Sequence, residues 1–139
     1  MCGMTELSVP ISAGELIDKI TILEIKSARI RDTAKLANIR AELAALSQTW
    51  QAHASSRIDI AFQRARLKSV NEILWDIEDR IRVKEKAQAF DSEFIELARA
   101  VYFRNDERAA VKREINLTLG SALVEEKSYE DYSGAKPAG

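Results

Sequence analysis

The sequence predicts an all-α fold, a bundle of about five helices in which long antiparallel helices are followed by shorter C-terminal helices. The chain has 139 residues, and its five Gly and two Pro residues all lie before residue 15 or after residue 119. The intervening residues therefore contain no strong helix breaker. Within them, apolar residues recur at spacings of three and four, which one face of a helix requires.

The first helix is predicted to begin after Ser12. Residues 1–11 form a leader, with a short extended piece through Leu7, Val9 and Ile11. Ser12 and Glu15 have the spacing of a capping box, in which the Ser12 hydroxyl accepts from the Glu15 N–H and the carboxylate reaches back. The apolar stripe of this helix comprises Leu16, Ile17, Ile20, Ile22, Leu23 and Ile30.

The second and third helices each carry an apolar seam with heptad spacing. Asp32 or Thr33 can cap the second helix, whose seam comprises Leu36, Ile39, Leu43, Leu46 and Trp50. The third helix spans about residues 58–87, and its seam comprises Ile60, Leu67, Val70, Leu74, Ile77 and Ile81. Two seams joined by a short turn are typical of an antiparallel bundle. The middle positions of Leu43 and Leu74 predict that both are fully buried.

Two shorter helices are predicted to complete the domain. Asp91 can cap a fourth helix, Asn105 or Asp106 can cap a fifth, and Gly120 can end it. We expect one domain over residues 1–132 and a disordered tail over residues 133–139, because that tail is short, polar and rich in Gly and Pro.

Composition narrows the functional classes. The 21 basic and 22 acidic residues nearly cancel, which argues against a nucleic-acid binder. Cys2 is the single cysteine, so no internal disulfide is expected. No run approaches the roughly 20 apolar residues of a membrane span, and the first residues lack the pattern of a signal peptide. We therefore expect a soluble, cytoplasmic protein with no membrane partner.

The chain offers few groups for catalysis. It has one histidine, His53, with no ligand-like Cys and His spacing and no glycine-rich phosphate loop, so no metal and no cofactor are predicted. Glu72, Asp76 and Asp79 share one helical face, which is one way to hold a divalent metal. The seam places this face away from the core, which favours a solvated surface with ion pairs to Lys68 and Arg80.

Residues 75–116 hold the strongest candidates for a binding site. Trp75 lies off the seam of the third helix and needs a cover. A helix beginning near Asn105 would offer free N–H groups to an anion, with charge added by Arg108 and Lys112. The alternative is that these residues cap helices and pair in solvent. The candidate ligand-binding residues are Trp75, Glu78, Asp79, Glu96, Arg99, Tyr102, Asn105, Asp106, Arg108 and Lys112.

Several segments of the chain resemble a known family. They are WDIEDRIR at residues 75–82, FIELARAVY at 94–102, NDERAAVKREIN at 105–116, and the opening residues 11–26. These segments resemble an uncharacterised family of short helical proteins of bacteria and phages, a domain of unknown function. The resemblance covers most of the chain, and residues 38–66 match least. It implies no activity, although such proteins are sometimes found beside sugar-transfer or surface-polysaccharide functions.

Two functional hypotheses follow, and the one we favour is a self-associating interaction module. Ile22, Ile25, Ile73 and Trp75 are apolar residues beyond the main seams, which predicts a homodimer.

The alternative is a binding protein or an enzyme, with a phosphorylated or sugar-nucleotide-like ligand in a cleft between the third, fourth and fifth helices. Arg99, Arg108 and Lys112 would then hold the anion. The acid–base or metal candidates would be Asp76, Glu78, Asp79 and Glu96.

Overall fold

Within residues 5–132, the protein forms four α-helices and one short 3-10 turn. The computed structural model describes residues 5–132, so the predictions for Cys2 and for the tail 133–139 lie outside the described residues. The helices are α1 (Ala13–Arg29), α2 (Thr33–Ala52), α3 (Ala61–Lys86) and α4 (Ser92–Leu119), and the 3-10 turn is Ala54–Arg57. The all-α class is confirmed, and residues 5–132 include no strand.

The predicted ends of the helices are largely confirmed. Side chains of the three predicted caps accept backbone N–H groups: Ser12 from Glu15 at 3.2 Å, Asp32 from Lys35 at 3.0 Å, and Asp91 from Phe94 at 3.0 Å. Gly120 ends α4 with a φ of 64°, a left-handed conformation that glycine adopts without strain.

In the predicted capping box, the bond from the Glu15 carboxylate back to the Ser12 N–H is replaced by a contact of Glu15 with another helix. The Glu15 carboxylate accepts from the Lys112 ammonium of α4 at 2.7 Å and lies 3.8 Å from Lys19. A charge-assisted bond to an ammonium is stronger than a bond to a backbone N–H. Glu15 therefore ties α1 to α4.

The prediction of a fifth helix is wrong, because α4 continues unbroken from Ser92 to Leu119. Asn105 and Asp106 can cap a helix, but a cap needs a residue that leaves helical geometry, and no Gly or Pro interrupts this stretch. Their side chains have other partners. Asn105 accepts from Arg108 at 3.4 Å, and Asp106 accepts from the Tyr132 hydroxyl.

The helices are arranged as an antiparallel hairpin with two further helices stacked on it. α3 and α4 form the hairpin, as shown by the ion pairs Arg66–Glu114 at 2.9 Å and Arg80–Glu93 at 3.1 Å. α1 packs on both helices of the hairpin, and α2 packs mainly on α1. None of the described helices is both long and apolar enough to cross a membrane.

The hydrophobic core lies where α1 contacts the hairpin. Its main cluster comprises Ile17, Ile20, Trp50, Ile60, Leu67, Val111, Ile115 and Leu119. Leu74 is buried as predicted, but Leu43 is only partly buried, so that prediction is wrong. Since α2 has one main neighbour, the other side of its seam stays accessible to solvent.

Gly14 sets the close approach of α1 to α4. Its N–H donates to the Asn116 side-chain oxygen at 2.6 Å. A Cβ atom at this position would lie 2.4 Å from the Lys112 backbone oxygen, far inside van der Waals contact. The absence of a side chain at Gly14 therefore lets the next turn of α1 face α4 directly.

Candidate functional site

A buried ion pair joins α1 to α4 one turn beyond Gly14. Asp18 is 1% exposed, and its carboxylate accepts from Nε of Arg108 at 2.9 Å and from Nη2 at 2.5 Å. This two-point geometry matches the planar guanidinium to the carboxylate. The bond to Asp18 raises the pKa of Arg108 above its ordinary value, so the arginine stays charged.

The third member of this network comes from α3. Asn71 donates through its side-chain nitrogen to Asp18 at 3.0 Å and to the Thr21 hydroxyl oxygen at 3.1 Å. Thr21 in turn donates to the Asp18 backbone oxygen at 2.8 Å. Every buried side-chain nitrogen or oxygen of residues 5–132 has a partner. Asp18, Thr21, Asn71 and Arg108 therefore form one satisfied polar network between three helices, named here the Asp18 network.

A small cleft of about 230 Å³ opens above the Asp18 network. Arg108 lines this cleft, and its Nη1 also donates to Asn105, another lining residue. Asp18 already balances the charge of Arg108. This cleft therefore offers a ligand hydrogen-bond donors rather than a net positive charge. Its lining residues are Ile22, Ile25, Asn71, Leu74, Trp75, Glu78, Asn105 and Arg108.

The cover that Trp75 needs comes from within the chain. The guanidinium of Arg29 lies 5.7 Å from the centre of the Trp75 ring, within cation–π range, and Trp75 also lines the small cleft. Ile25 is buried, and Ile22 lines the same cleft. Ile22, Ile25 and Trp75 therefore do not form the surplus apolar surface from which we predicted self-association, and Ile73 is only partly exposed.

A larger cleft of about 830 Å³ lies between α4 and the extended C-terminal segment, residues 121–132, named here the strap. The strap runs back along α4. Arg113 pairs with Glu126 at 2.9 Å, and the Tyr132 ring lies 4.9 Å from that of Phe103. The lining residues are Glu96, Arg99, Ala100, Phe103, Arg104, Asp106, Glu107, Ala110, Lys127, Tyr129, Glu130, Asp131 and Tyr132.

The ten predicted binding residues are divided among several places. The small cleft contains Trp75, Glu78, Asn105 and Arg108, and the larger cleft contains Glu96, Arg99 and Asp106. Tyr102 lies beside the larger cleft, with its ring 5.3 Å from that of Tyr132. Lys112 contacts Glu15 and Glu125, and Asp79 is exposed and lines neither cleft.

The predicted helix start at Asn105 is absent, which removes one source of anion affinity. Asn105 lies in the middle of α4, so its N–H group belongs to a continuous helix. Lys112 is 8% exposed and lies within ion-pair distance of two carboxylates, so its charge is balanced as well.

Asp18, Thr21 and Asn71 were not among the residues predicted to form a site. A signal for Asp18 was present, because Gly14, Ile17, Asp18, Thr21 and Ile25 follow one helical stripe. An acidic residue within an apolar stripe is expected to find a buried cation or to be neutral. The identity of that cation depends on the fold, since Arg108 lies 90 residues away.

The acidic face of α3 is bound to neighbouring helices by ion pairs. Arg29 of α1 pairs with Asp76 at 2.6 Å and with Glu72 at 3.9 Å. The pairs expected from within α3 are replaced by pairs to other helices: Lys68 lies 3.8 Å from Glu24, and Arg80 pairs with Glu93. Across residues 5–132, no three His, Cys, Asp or Glu side chains are grouped as metal ligands would be.

The chain belongs to a family of unknown function, DUF6165, whose model matches residues 7–138. The match begins in the extended leader and runs through all four helices and the strap. No curated protein and no solved structure has significant similarity to the chain. The family description names no ligand or reaction, so a function must be argued from the geometry.

Proposed function

We propose that this protein is a helical interaction module that self-associates through apolar side chains exposed at one end of its bundle. The proposal rests on one observation. Seven of the twelve large apolar side chains that are exposed in the described residues lie where α1 and α3 begin and where α2 and α4 end. This surface, named here the apolar end, comprises Leu7, Val9, Ile11, Ile58, Phe62, Leu117 and Leu123.

Phe62 and Leu117 form the most clearly defined part of the apolar end. They are 71% and 66% exposed. Phe62 lies one turn before Arg66 on α3, and Leu117 lies about one turn after Glu114 on α4. Since Arg66 pairs with Glu114 across the antiparallel hairpin, Phe62 and Leu117 lie on the same outer face.

The leader adds a second apolar element to this end. Leu7, Val9 and Ile11 are all exposed and lie in no helix or strand. The Ala13 N–H donates to the Ser121 hydroxyl at 3.3 Å, which places the start of α1, where the leader ends, beside the end of α4. Apolar side chains that cluster in this way indicate an interaction surface, whereas scattered ones do not.

A second copy of the chain fits this surface best. The net formal charge is −1, and the Arg66–Glu114 pair at the rim is neutral, so two copies do not repel each other. A twofold axis would bring each apolar end onto the other. Seven side chains in each copy, at on the order of 100 Å² each, would bury roughly 1,400 Å², which is enough for a stable dimer.

We expect light scattering after gel filtration to give twice the chain mass at micromolar concentration. The double variant Phe62→Glu and Leu117→Glu should give the monomer mass, because two buried charges per copy would oppose the interface. Ile95→Glu is the matched control, since Ile95 is 56% exposed on α4 near the opposite end. A wild type that is monomeric throughout the micromolar range would contradict the proposal.

The second candidate function is recognition of a small anion, favoured by the four predicted residues that meet in the small cleft. Arg108 has five N–H donors, and three of them bond within the protein, which leaves Nη donors for a phosphate or carboxylate oxygen. A volume of about 230 Å³ admits a phosphate or a short acid, but not a whole nucleotide-sugar.

A thermal-shift screen of inorganic phosphate, sugar phosphates and nucleotides would detect such binding. At a hundredfold excess over the dissociation constant we expect about 2.7 kcal/mol of stabilisation, which is several degrees in melting temperature. Asn105→Asp should abolish the shift by placing a carboxylate beside Arg108, whereas Asn38→Asp on the exposed face of α2 should not. An unchanged shift in Asn105→Asp would rule this site out.

A further inference from the structure

The two walls of the larger cleft, α4 and the strap, differ in the length of chain between their two points of contact. The strap is attached to α4 at Glu126 through Arg113, and again at Tyr132 through Asp106. Seven residues of helix between Arg113 and Asp106 span roughly 10 Å, whereas six residues of extended chain reach up to roughly 20 Å. The strap therefore has more chain than the direct path between its two attachments requires, and the cleft lies between the strap and α4.

The charges that line this cleft leave a negative excess. Five carboxylates and three cationic side chains line it. Arg104 pairs with Glu107 at 2.9 Å, Lys127 lies 3.8 Å from Glu125, and Arg99 lies over the Phe103 ring at 5.7 Å. By contrast, Glu96 and Glu130 make no hydrogen bond or ion pair with any described residue. The carboxylates therefore exceed the cations by two.

Aromatic rings supply the other half of the cleft's chemistry. Phe103, Tyr129 and Tyr132 line it, and Tyr129 is 75% exposed. The ammonium of Lys127 lies 5.7 Å from the centre of the Tyr129 ring, so a ligand must displace Lys127 or use the other face of that ring. The negative face of an aromatic ring attracts an organic cation, and a neighbouring carboxylate adds to that attraction. A metal ion would gain little from the rings, because it prefers oxygen ligands.

We infer that the larger cleft is a binding site for a small organic amine, with Glu96 and Glu130 holding the ammonium groups and Tyr129 covering the carbon chain. The volume of about 830 Å³ matches the size of small-molecule sites. A linear polyamine carries several ammonium groups on a flexible chain, so it can reach both carboxylates. This inference is independent of self-association, which involves residues at the end of the bundle.

Calorimetric titration of the full chain with spermidine at constant ionic strength tests the inference. We expect saturable binding in the wild type. Glu96→Gln and Glu130→Gln should each weaken it about tenfold, because each loses one charge-assisted hydrogen bond. Tyr129→Leu should weaken it as well. Glu42→Gln is the matched control, since Glu42 is exposed on α2, and it should leave the affinity unchanged.

Two further titrations separate amine recognition from simple charge attraction and identify the source of the amine. Magnesium ions should bind much more weakly than spermidine, because they cannot use the aromatic rings. Tighter binding of Nα-acetyl-lysine amide than of spermidine would assign the amine to a lysine of a protein partner, and the reverse order would assign it to a free polyamine. The inference would be overturned if neither amine bound saturably at millimolar concentration. It would also be overturned if magnesium bound as tightly as spermidine, or if both glutamine variants kept the affinity of the wild type.

Discussion

Replacing Arg108 by alanine is expected to lower the free energy of unfolding by about 3–5 kcal/mol, because the change leaves the Asp18 carboxylate buried without its cation. Asn71 would remain as a hydrogen-bond donor, but one neutral donor does not replace a two-point charged contact. Urea denaturation at a fixed protein concentration measures the loss directly. In melting temperature it corresponds to a fall of roughly ten degrees or more.

Arg104→Ala provides the control for this prediction. Arg104 lies one turn earlier on α4 and pairs with Glu107, but both side chains of that pair are 41% exposed. Such a pair contributes about 0–1 kcal/mol, so Arg104→Ala should leave the stability almost unchanged. If Arg108→Ala and Arg104→Ala lose the same small amount, the Asp18 network does not hold the helices together.

A double-mutant cycle separates the pair from its surroundings. Asp18→Asn keeps the size of the side chain and removes the negative charge. If the two groups interact as the structure indicates, the combined loss in Asp18→Asn with Arg108→Ala is smaller than the sum of the two single losses. From sequence alone, Arg108 was a candidate for holding an anion or for pairing in solvent, and an arginine in either place contributes little to stability. The buried partner reverses that expectation.

The ends of the helices could be predicted because their signals are local. Ser12, Asp32 and Asp91 each need only the backbone N–H group three residues ahead, and Gly120 needs only its own conformation. The same kind of signal failed at Asn105. A residue that can cap a helix is also tolerated inside one when its side chain finds another partner, and that partner, Arg108, is visible only in the folded chain.

The candidate sites were less predictable because their residues are distant in sequence. Residue type and helical spacing identified Trp75, Glu78 and Arg108, and the fold does bring these three to one cleft. Nothing local to Arg108 indicates that Asp18 lies against it. The strap has no periodic pattern, so its path along α4, and hence the existence of the larger cleft, follows from contacts such as Tyr132 with Asp106.

The ligand that each cleft can bind depends on whether its charged side chains already have partners within the protein. At the small cleft, Arg108 is already paired with Asp18, so an anion gains mainly hydrogen bonds to Arg108. In the larger cleft, Glu96 and Glu130 have no cationic partner among the described residues, so the proposed amine would gain both an opposite charge and contact with aromatic rings. The ligand predicted from the sequence was an anion, because Arg99, Arg108 and Lys112 were considered without their partners.

Replacing Leu67 by alanine is expected to lower the free energy of unfolding by about 2–5 kcal/mol, through lost burial and the cavity that remains. Leu67 is 0% exposed and belongs to the cluster that joins α1, α3 and α4, together with Ile17, Ile20, Val111 and Ile115. It lines neither cleft. The variant should therefore lose stability while its affinity for spermidine at 20 °C stays near that of the wild type.

Val83→Ala is the control within the same helix. Val83 is 68% exposed, so the loss of its side chain removes little buried surface, and alanine favours the helix more than valine does. Its stability should stay within about 0.5 kcal/mol of the wild type, which denaturation by urea resolves from the loss in Leu67→Ala. Equal losses in the two variants would mean that α3 does not present Leu67 to α1 and α4. The register of the hairpin, and with it the positions of Asn71 and Trp75 beside Asp18, would then be wrong.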